Sequence, residues 1–296
     1  MADVSLFRAS DGYRFYAHVD RPRGEVRGRI VMLHGIRSHA GWYDRSRRTF
    51  AERGYEVHFL DRRGSGWNTA RHGDCPTFHR LIDDAAEYVL DLRRTRAALP
   101  LFVVGISWGG KLAVELAARY PTILSGIALL CPGLKPAIRP PLAVRLRIAL
   151  AAKMRPTKLF PIPLNDPELF TASPEWREFI ERDRFGLREA TARFLFESFR
   201  FDRFLRREYA KVKCPVLLLL AGRDRILDNA ATRKLLAEFT AARSIAVIDD
   251  PDAHHTLEFE DDGHPWIADT AAWMRMSDSP LRFGEGVRGA SLPIGD

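Results

Sequence analysis

The sequence has 296 residues, 46% of them hydrophobic, which is enough for one large α/β domain or two smaller domains. Its net charge of +8 comes from residues 134–215, which carry 18 basic and 10 acidic side chains, so the rest of the chain is neutral. No apolar stretch is long enough to span a bilayer, the N-terminus lacks a secretion-signal pattern, and no nucleic-acid-binding motif accompanies the basic segment. We therefore expect a cytoplasmic protein that does not bind nucleic acid.

Strands and helices alternate over the first 133 residues. The apolar and turn patterns predict strands at 4–9, 13–19, 29–33, 56–60, 101–104 and 123–130, with helices at 45–53, 77–97 and 111–118. Strands that alternate with helices require crossover connections. We therefore predict an α/β fold with a mainly parallel sheet.

The alternation stops after residue 133 and resumes near residue 214. Residues 134–210 contain no convincing strand, but they include a basic apolar helix and predicted helices at 174–184 and 187–207. A strand at 214–220 then restarts the pattern, with later elements at 229–239, 244–248 and 265–275. The predicted organisation is a core of residues 1–133 and 211–276, a helical cap at 134–210, and a disordered tail at 277–296.

Cysteine usage gives no sign of a metal centre. Cys75, Cys131 and Cys214 are far apart and odd in number, so they suit neither a disulfide framework nor a zinc site. We expect them to be small buried hydrophobic residues.

The sequence Gly105-Ile106-Ser107-Trp108-Gly109 lies between a predicted strand and a predicted helix. A sharp turn from strand to helix requires small flanking residues, and it exposes the serine hydroxyl at the edge of the sheet. The helix that follows favours developing negative charge at its N-terminus. Ser107 is therefore the predicted nucleophile of a G-x-S-x-G elbow.

A serine nucleophile needs a histidine base and an acid that orients it, which follow in the order acid, then histidine. Asp224 lies just beyond the strand at 214–220, whereas Asp228 lies at the start of the next helix and is typical of a helix cap. His254 and His255 both follow the last predicted strand. The spacing favours Asp224 but does not choose between the two histidines.

These residues resemble the monoacylglycerol lipase and lysophospholipase group of α/β-hydrolases, which overlaps with the serine aminopeptidase-like hydrolases. Residues 34–43, HGIRSHAGWY, resemble the H-G-x-x-E-H-x-x-R-Y loop of that group, and residues 61–68, DRRGSGWN, resemble its D-x-R-G-x-G-x-S stretch. The predicted insertion also falls where that group carries its cap. The resemblance covers about residues 10–275 and implies an α/β-hydrolase fold.

The resemblance also implies roles for individual residues. Its H-x-L-x-x-E pattern selects His255 as the base, and it makes the backbone N–H groups of Ile36 and Trp108 the oxyanion-hole donors. We expect His34 to brace its loop rather than act in catalysis. The chain departs from the group at four positions, which leave the triad intact but affect the expected pocket: Ser38 for Glu, Trp42 for Arg, Asn68 for Ser and Trp108 for Met.

The cap is the second expected source of function. Residues 135–158 contain seven basic side chains and no acidic one, interleaved with large apolar residues. Such a helix is typical either of a membrane surface or of a site for a substrate with an anionic head. The simpler alternative is a helix that covers the active site and turns its charged face to water. We expect substrate contacts within 134–210, but the sequence does not identify the residues that make them.

Together these features predict a cofactor-free serine hydrolase of carboxylic esters, with a small-molecule substrate of monoacylglycerol or lysophospholipid type. Amide, thioester or carbon–carbon bond hydrolysis on the same triad is an alternative, because fold alone does not decide function. Ser107 argues against the haloalkane and epoxide hydrolases of this fold, which use an aspartate. A non-catalytic binding protein is a further alternative, although such proteins usually lose a triad residue.

Overall fold

The computed structural model describes residues 3–278, which form a large central sheet flanked by helices. The strands are β1 (Asp3–Arg8), β2 (Arg14–Asp20), β3 (Gly28–Leu33), β4 (Tyr55–Leu60), β5 (Leu101–Ile106), β6 (Gly126–Leu130), β7 (Leu159–Pro161), β8 (Glu189–Thr191), β9 (Val216–Ala221) and β10 (Ile245–Asp250). The α-helices are α1 (Asp44–Glu52), α2 (Phe78–Thr95), α3 (Gly109–Arg119), α4 (Leu142–Met154), α5 (Pro174–Arg182), α6 (Ala192–Leu205), α7 (Asn229–Leu235) and α8 (Trp266–Asp278).

Eight strands make the central sheet, in the order β1-β2-β4-β3-β5-β6-β9-β10. β2 pairs antiparallel with both β1 and β4, and every other neighbouring pair is parallel. All six residues of β5 are buried, as expected for an inner parallel strand that is covered on both faces. The predicted mainly parallel α/β sheet is confirmed.

The helices cover the sheet and seal its core. α1 packs against α8, and α2 packs against α3, which also lies on β5 and β6. Cys75, Cys131 and Cys214 are buried within this packing and form no disulfide. Among the helices of residues 3–278, none is long and apolar enough to cross a bilayer.

The segment from 134 to 210 contains α4, α5 and α6, but it also contains two strands that the sequence pattern did not predict. β7 and β8 pair antiparallel over three residues each. α6 consequently begins at Ala192 rather than at residue 187, with the Thr191 side chain accepting the Phe194 N–H as its cap. Three-residue strands are too short to show a period, and their pairing joins segments about thirty residues apart, so the sequence carried no local signal for them.

The C-terminal boundary also differs slightly from the prediction. Residues 277 and 278 complete α8 instead of starting a tail. The rest of the predicted tail, residues 279–296, lies outside the described residues.

Candidate active site

Ser107 lies in the turn between β5 and α3 with a backbone φ of +50°, in the left-handed region that costs a non-glycine residue about 1–2 kcal/mol. The glycines on either side make this turn possible. A Cβ atom on Gly109 would lie 2.1 Å from the carbonyl oxygen of Leu33, and one on Gly105 would lie 2.7 Å from the Cα of Gly110. The predicted need for small residues around the serine thus has a direct steric cause.

The structure brings Ser107, His255 and Asp224 together in one hydrogen-bonded chain. His255 Nδ1 lies 2.7 Å from Asp224 Oδ2, and His255 Nε2 lies 3.0 Å from Ser107 Oγ. Because a carboxylate only accepts hydrogen bonds, Nδ1 donates to Asp224, which leaves Nε2 to accept the serine hydroxyl. The side chains of His255 and Asp224 are 3% and 0% exposed. This arrangement can withdraw a proton from Ser107 as it attacks an electrophile.

Neighbouring groups separate the triad candidates from their competitors. The other oxygen of Asp224 accepts the backbone N–H groups of Ile226 and Leu227, at 2.7 and 3.1 Å, which fixes the carboxylate. Asp228 caps α7 by accepting the N–H of Ala231, as predicted. Within residues 3–278, no hydrogen bond joins His254 to Ser107.

The nearby Glu260 holds His254 instead. One oxygen of Glu260 lies 3.0 Å from His254 Nδ1 and accepts the His254 backbone N–H at 2.6 Å. The choice between adjacent histidines, which spacing left open, is thus decided by which ring reaches the serine.

The loop after β3 approaches Ser107 from the other side. A Cβ atom on Gly35 would lie 3.2 Å from the Ser107 Cβ, so the backbone of this loop borders the serine. In the described part of the chain, the N–H groups of Ile36 and Trp108 donate to no protein acceptor. Two unused amides beside one hydroxyl are what an oxyanion hole requires.

A buried arginine that the sequence analysis did not single out braces this loop. Arg62 donates to the carbonyl oxygens of Gly35 and Ile36 at 3.1 and 3.0 Å, and its guanidinium carbon lies 4.8 Å from the centroid of the Trp108 ring. Burial lowers its pKa to about 10. His34 accepts the Arg62 backbone N–H, and burial lowers the pKa of His34 to about 3, so it stays neutral and acts as a brace, as predicted.

Two residues of the same loop reach across to the cap segment. Asp183 accepts a hydrogen bond from Trp42 Nε1 at 2.7 Å, and its other oxygen lies 3.1 Å from His39 Nε2. These interactions lower the pKa of Asp183 to about 2, despite its burial. Trp42, which departs from the family pattern, therefore joins the core to the cap.

The other departures have local roles. Ser38 Oγ accepts the N–H of Gly35 at 3.1 Å, and Asn68 Nδ2 donates to the Asp61 carbonyl oxygen at 2.6 Å. Trp108 Nε1 donates to Ser198 Oγ of α6 at 2.9 Å. Of the four departures, Ser38 and Trp42 line the cavity at Ser107.

A small cavity lies beside Ser107. It has a volume of about 10 Å³, which is close to that of one water molecule, and it is bordered by Ser107, His255 and Arg37 from the core. Leu164 and Phe170 of the cap segment form its opposite wall. The Thr256 N–H donates to the Phe170 carbonyl oxygen at 3.0 Å. The cap segment therefore borders the space beside the serine hydroxyl.

Comparison with known proteins gives a consistent family assignment. A sequence model of the family described as "Serine aminopeptidase, S33" matches residues 24–262. The chain is 24% identical to a monoacylglycerol lipase of Mycolicibacterium smegmatis over 274 residues, which cover 90% of this chain and 95% of that protein. It is 25% identical to human monoglyceride lipase over 258 residues, covering 85% of this chain and 82% of the human protein.

A solved structure shows the same fold. A soluble variant of monoglyceride lipase from Saccharomyces cerevisiae superposes with a TM-score of 0.82, at 20% identity and with 95% and 96% of the two chains covered. At that identity the likeness concerns the fold, which is that of the α/β-hydrolases.

Proposed function

This chain belongs to the serine aminopeptidase S33 family of α/β-hydrolases, and from that premise we propose that it is a serine hydrolase of carboxylic esters with lipid-like acyl chains. The hydrogen-bonded chain from Ser107 through His255 to Asp224 carries this proposal, with distances of 3.0 and 2.7 Å. Relatives that match this chain over most of their length are named monoacylglycerol or monoglyceride lipases. They support a substrate of monoacylglycerol or lysophospholipid type, and the reaction requires no cofactor.

In the proposed reaction, Ser107 Oγ attacks the ester carbonyl while His255 Nε2 takes its proton. Asp224 holds the imidazole in the tautomer that this step needs and stabilises the imidazolium that forms. The N–H groups of Ile36 and Trp108 stabilise the negative oxygen of the tetrahedral intermediate. His255 then protonates the leaving alcohol, and water releases the acyl group by the same route in reverse.

A fluorophosphonate probe tests whether the chain is a serine hydrolase at all. We expect the wild type to be labelled and Ser107→Ala to remain unlabelled, because the probe reacts with an activated serine. Labelling of neither protein would favour the alternative of a non-catalytic binding protein. Equal labelling of both would mean that another serine reacts and that the assignment of Ser107 is wrong.

A substrate panel tests the bond type. We expect hydrolysis of p-nitrophenyl esters, monoacylglycerols and lysophospholipids, with kcat/KM rising as the acyl chain lengthens. Matched thioesters and anilides with the same acyl group serve as controls. Higher kcat/KM on the thioester or anilide would favour the alternative hydrolases on the same triad.

We also propose that residues 134–210 act as a cap and that α4 contacts membrane surfaces. Four large apolar side chains recur every fourth residue on α4 and remain in water: Leu142 (68% exposed), Leu146 (63%), Leu150 (65%) and Met154 (69%). The buried Ile148 faces the other way, and Arg145 and Arg147 flank the exposed apolar face at their helical positions. An apolar face bordered by basic residues fits an interface with anionic lipid.

Vesicle sedimentation tests this contact. We expect wild type to bind phosphatidylglycerol-containing vesicles, and the double variant Leu146→Ser/Leu150→Ser to bind at least about tenfold more weakly, since each leucine gains roughly 1.5–3 kcal/mol on burial. Leu6→Ser is a matched control, because Leu6 is a similarly exposed leucine (53%) that lies on β1 and not on α4. Equal binding by the double variant and the control would contradict the contact. The cytoplasmic location stays a prediction.

A further inference from the structure

Arg37 occupies an unusual position for a charged side chain. It follows Ile36 in the loop after β3, is 3% exposed, and borders the same cavity as Ser107 and His255. Its Nη1 donates to the Leu164 carbonyl oxygen at 2.8 Å, and its guanidinium carbon lies 5.7 Å from the centroid of the Phe170 ring. Because Leu164 and Phe170 also line the cavity, the guanidinium lies in the wall of the substrate pocket.

The charge of Arg37 has no direct counter-ion. Within residues 3–278, no carboxylate oxygen lies within 4.0 Å of its nitrogen atoms. Asp183 is the acidic residue whose field acts on it, but the oxygens of Asp183 already bind His39, the Trp42 indole and the Phe185 N–H. Burial and the neighbouring Arg188 both lower the pKa of Arg37. A buried charge without a partner is costly, so some other group is expected to compensate it.

The unused edge of the guanidinium indicates what that group is. The Nε of Arg37 is buried and has no acceptor, and in the described chain Nη2 makes no hydrogen bond either. Nε and Nη2 together form the edge of arginine that binds a carboxylate or phosphate through two parallel hydrogen bonds. Arg63 uses this same edge in this protein, where its Nε and Nη2 donate to the two oxygens of Asp84 at 2.8 and 2.7 Å. On Arg37 the corresponding edge has no protein acceptor among the described residues.

We propose that Arg37 binds an anionic group of the substrate, a carboxylate or phosphate close to the scissile ester. This inference rests on the proposed function, since it assigns the substrate class of the same pocket. Arg62 adds to the positive field: within the described residues it also has no carboxylate within 4.0 Å, and it donates to the carbonyl oxygen of Ile36, the residue before Arg37. Ser38 also leaves the field more positive, because a neutral side chain stands where the family pattern has a negatively charged glutamate.

The hydrogen bond from Arg37 to the Leu164 carbonyl oxygen suggests a competing role, as a latch that keeps the cap closed. A latch and an anion site differ in what they predict. Loss of a latch changes the access of every substrate by a similar factor. Loss of an anion site lowers activity on anionic substrates and leaves neutral substrates almost unchanged.

The test compares Arg37→Met with wild type on two pairs of esters. For an anion on the acyl side, the pair is mono-p-nitrophenyl glutarate and p-nitrophenyl pentanoate. For an anion on the leaving group, the pair is lauroyl lysophosphatidic acid and 1-lauroyl glycerol. We expect Arg37→Met to lower kcat/KM at least about tenfold on the anionic member of one pair, because charge-assisted hydrogen bonds are stronger than neutral ones. The neutral members should change less than about threefold.

Two further variants control this comparison. Arg37→Lys keeps the charge but lacks the paired donors, so it should retain part of the preference for the anionic ester. If Arg37→Met does not fold, Arg37→Lys takes its place in the comparison with wild type. Arg48→Met removes an arginine that is 67% exposed on α1 and should leave all four rates unchanged.

Each outcome separates this inference from the proposed function. Equal changes on all four esters would show a latch, and no change on any of them would show that Arg37 does not contact the substrate; either result overturns the proposal. A wild type that is labelled by fluorophosphonate but has no preference for either anionic ester would also overturn it, while the serine hydrolase assignment stands. A wild type that is not labelled and cleaves none of the four would instead overturn the proposed function.

Discussion

The carboxyl ends of the sheet strands and the cap segment (residues 134–210) differ in which side chains they bury and which they expose. At the strand ends, the polar groups of Ser107, His255 and Asp224 are enclosed and bonded to one another. On α4, four large apolar side chains face water. Polar groups that hydrogen-bond to one another hold a fixed geometry. An exposed apolar face is stabilised only when a partner outside the chain covers it and removes it from water. The proposed chemistry therefore depends on residues held by the sheet, and the exposed face of α4 is suited to contact with the proposed lipid.

The largest expected effect comes from breaking the bonded set at the strand ends. His255→Ala should lower kcat about a millionfold, and adding Ser107→Ala should lower it little further, because triad residues act as a unit. His254→Ala is the matched control. Its ring binds Glu260 rather than the serine, so esterase kinetics should change only slightly. A large loss in His254→Ala with an active His255→Ala would reverse the assignment of the base.

A smaller effect is expected from Arg62, which braces the loop after β3 that carries the proposed oxyanion donor Ile36. Arg62→Met frees the carbonyl oxygens of Gly35 and Ile36, and we expect kcat to fall about 100-fold with KM almost unchanged, as for a lost oxyanion donor. Arg62→Lys should recover part of the rate. A rise in KM without a fall in kcat would mean that Arg62 serves binding instead.

Glu258, three residues after His255, differs from the triad because one of its carboxylate oxygens lacks a hydrogen-bond partner among the described residues. Burial raises its pKa to about 7; one oxygen accepts the Ser46 N–H, and the other is buried without a partner in the described part of the chain. The folded state then holds a proton between pH 4.5 and 7 that the unfolded state releases, so this group makes the protein less stable as the pH rises through that range.

Glu258→Gln should remove this dependence. Between pH 5 and 8 we expect the free energy of unfolding of wild type to fall by roughly 1–3 kcal/mol more than that of the variant, since one pKa unit corresponds to about 1.4 kcal/mol. Urea denaturation at both pH values measures the difference. Using the variant as the reference cancels the contribution of Glu115, whose pKa burial also raises to about 7. Identical pH dependence of the two proteins would exclude this role for Glu258.

The smallest effect is expected on the exposed face of the cap. Leu150→Ser should change the free energy of unfolding by less than about 0.5 kcal/mol, because the side chain is 65% exposed. Ile148→Ala on the same helix should cost about 2–5 kcal/mol, since Ile148 is 1% exposed and packs inward. Similar losses in both variants would show that the exposed face is covered in solution.

Much of the core could be predicted because its signals are local. The elbow around Ser107 combines a buried strand, a glycine-flanked serine and a helix within about fifteen residues, and each part has its own pattern. Asp224 could be predicted as the candidate acid because it lies just beyond a strand. The β7–β8 pair and the later start of the helix predicted at 187–207 were missed, because that pairing joins distant segments that have no period of their own.

Two buried arginines in the loops after β3 and β4 show a different limit of sequence-based prediction. Arg37 and Arg62 are two among 46 basic residues, and nothing in their local sequence distinguishes a buried arginine from an exposed one. Equally, the apolar residues of α4 are evident in the sequence, but a periodic pattern does not state which face meets the protein and which meets water.

The sequence by itself determined the α/β alternation, the elbow and the order of serine, acid and histidine, because these depend on residues that are neighbours along the chain. The family resemblance already selected His255 over His254, and the tertiary structure places the His255 ring beside Ser107. Only the tertiary structure showed that Arg37 borders the cavity at Ser107 with no carboxylate within 4.0 Å among the described residues. These facts depend on which side chains meet after the strand ends and the cap have come together, and such distances are set by packing rather than by position in the sequence.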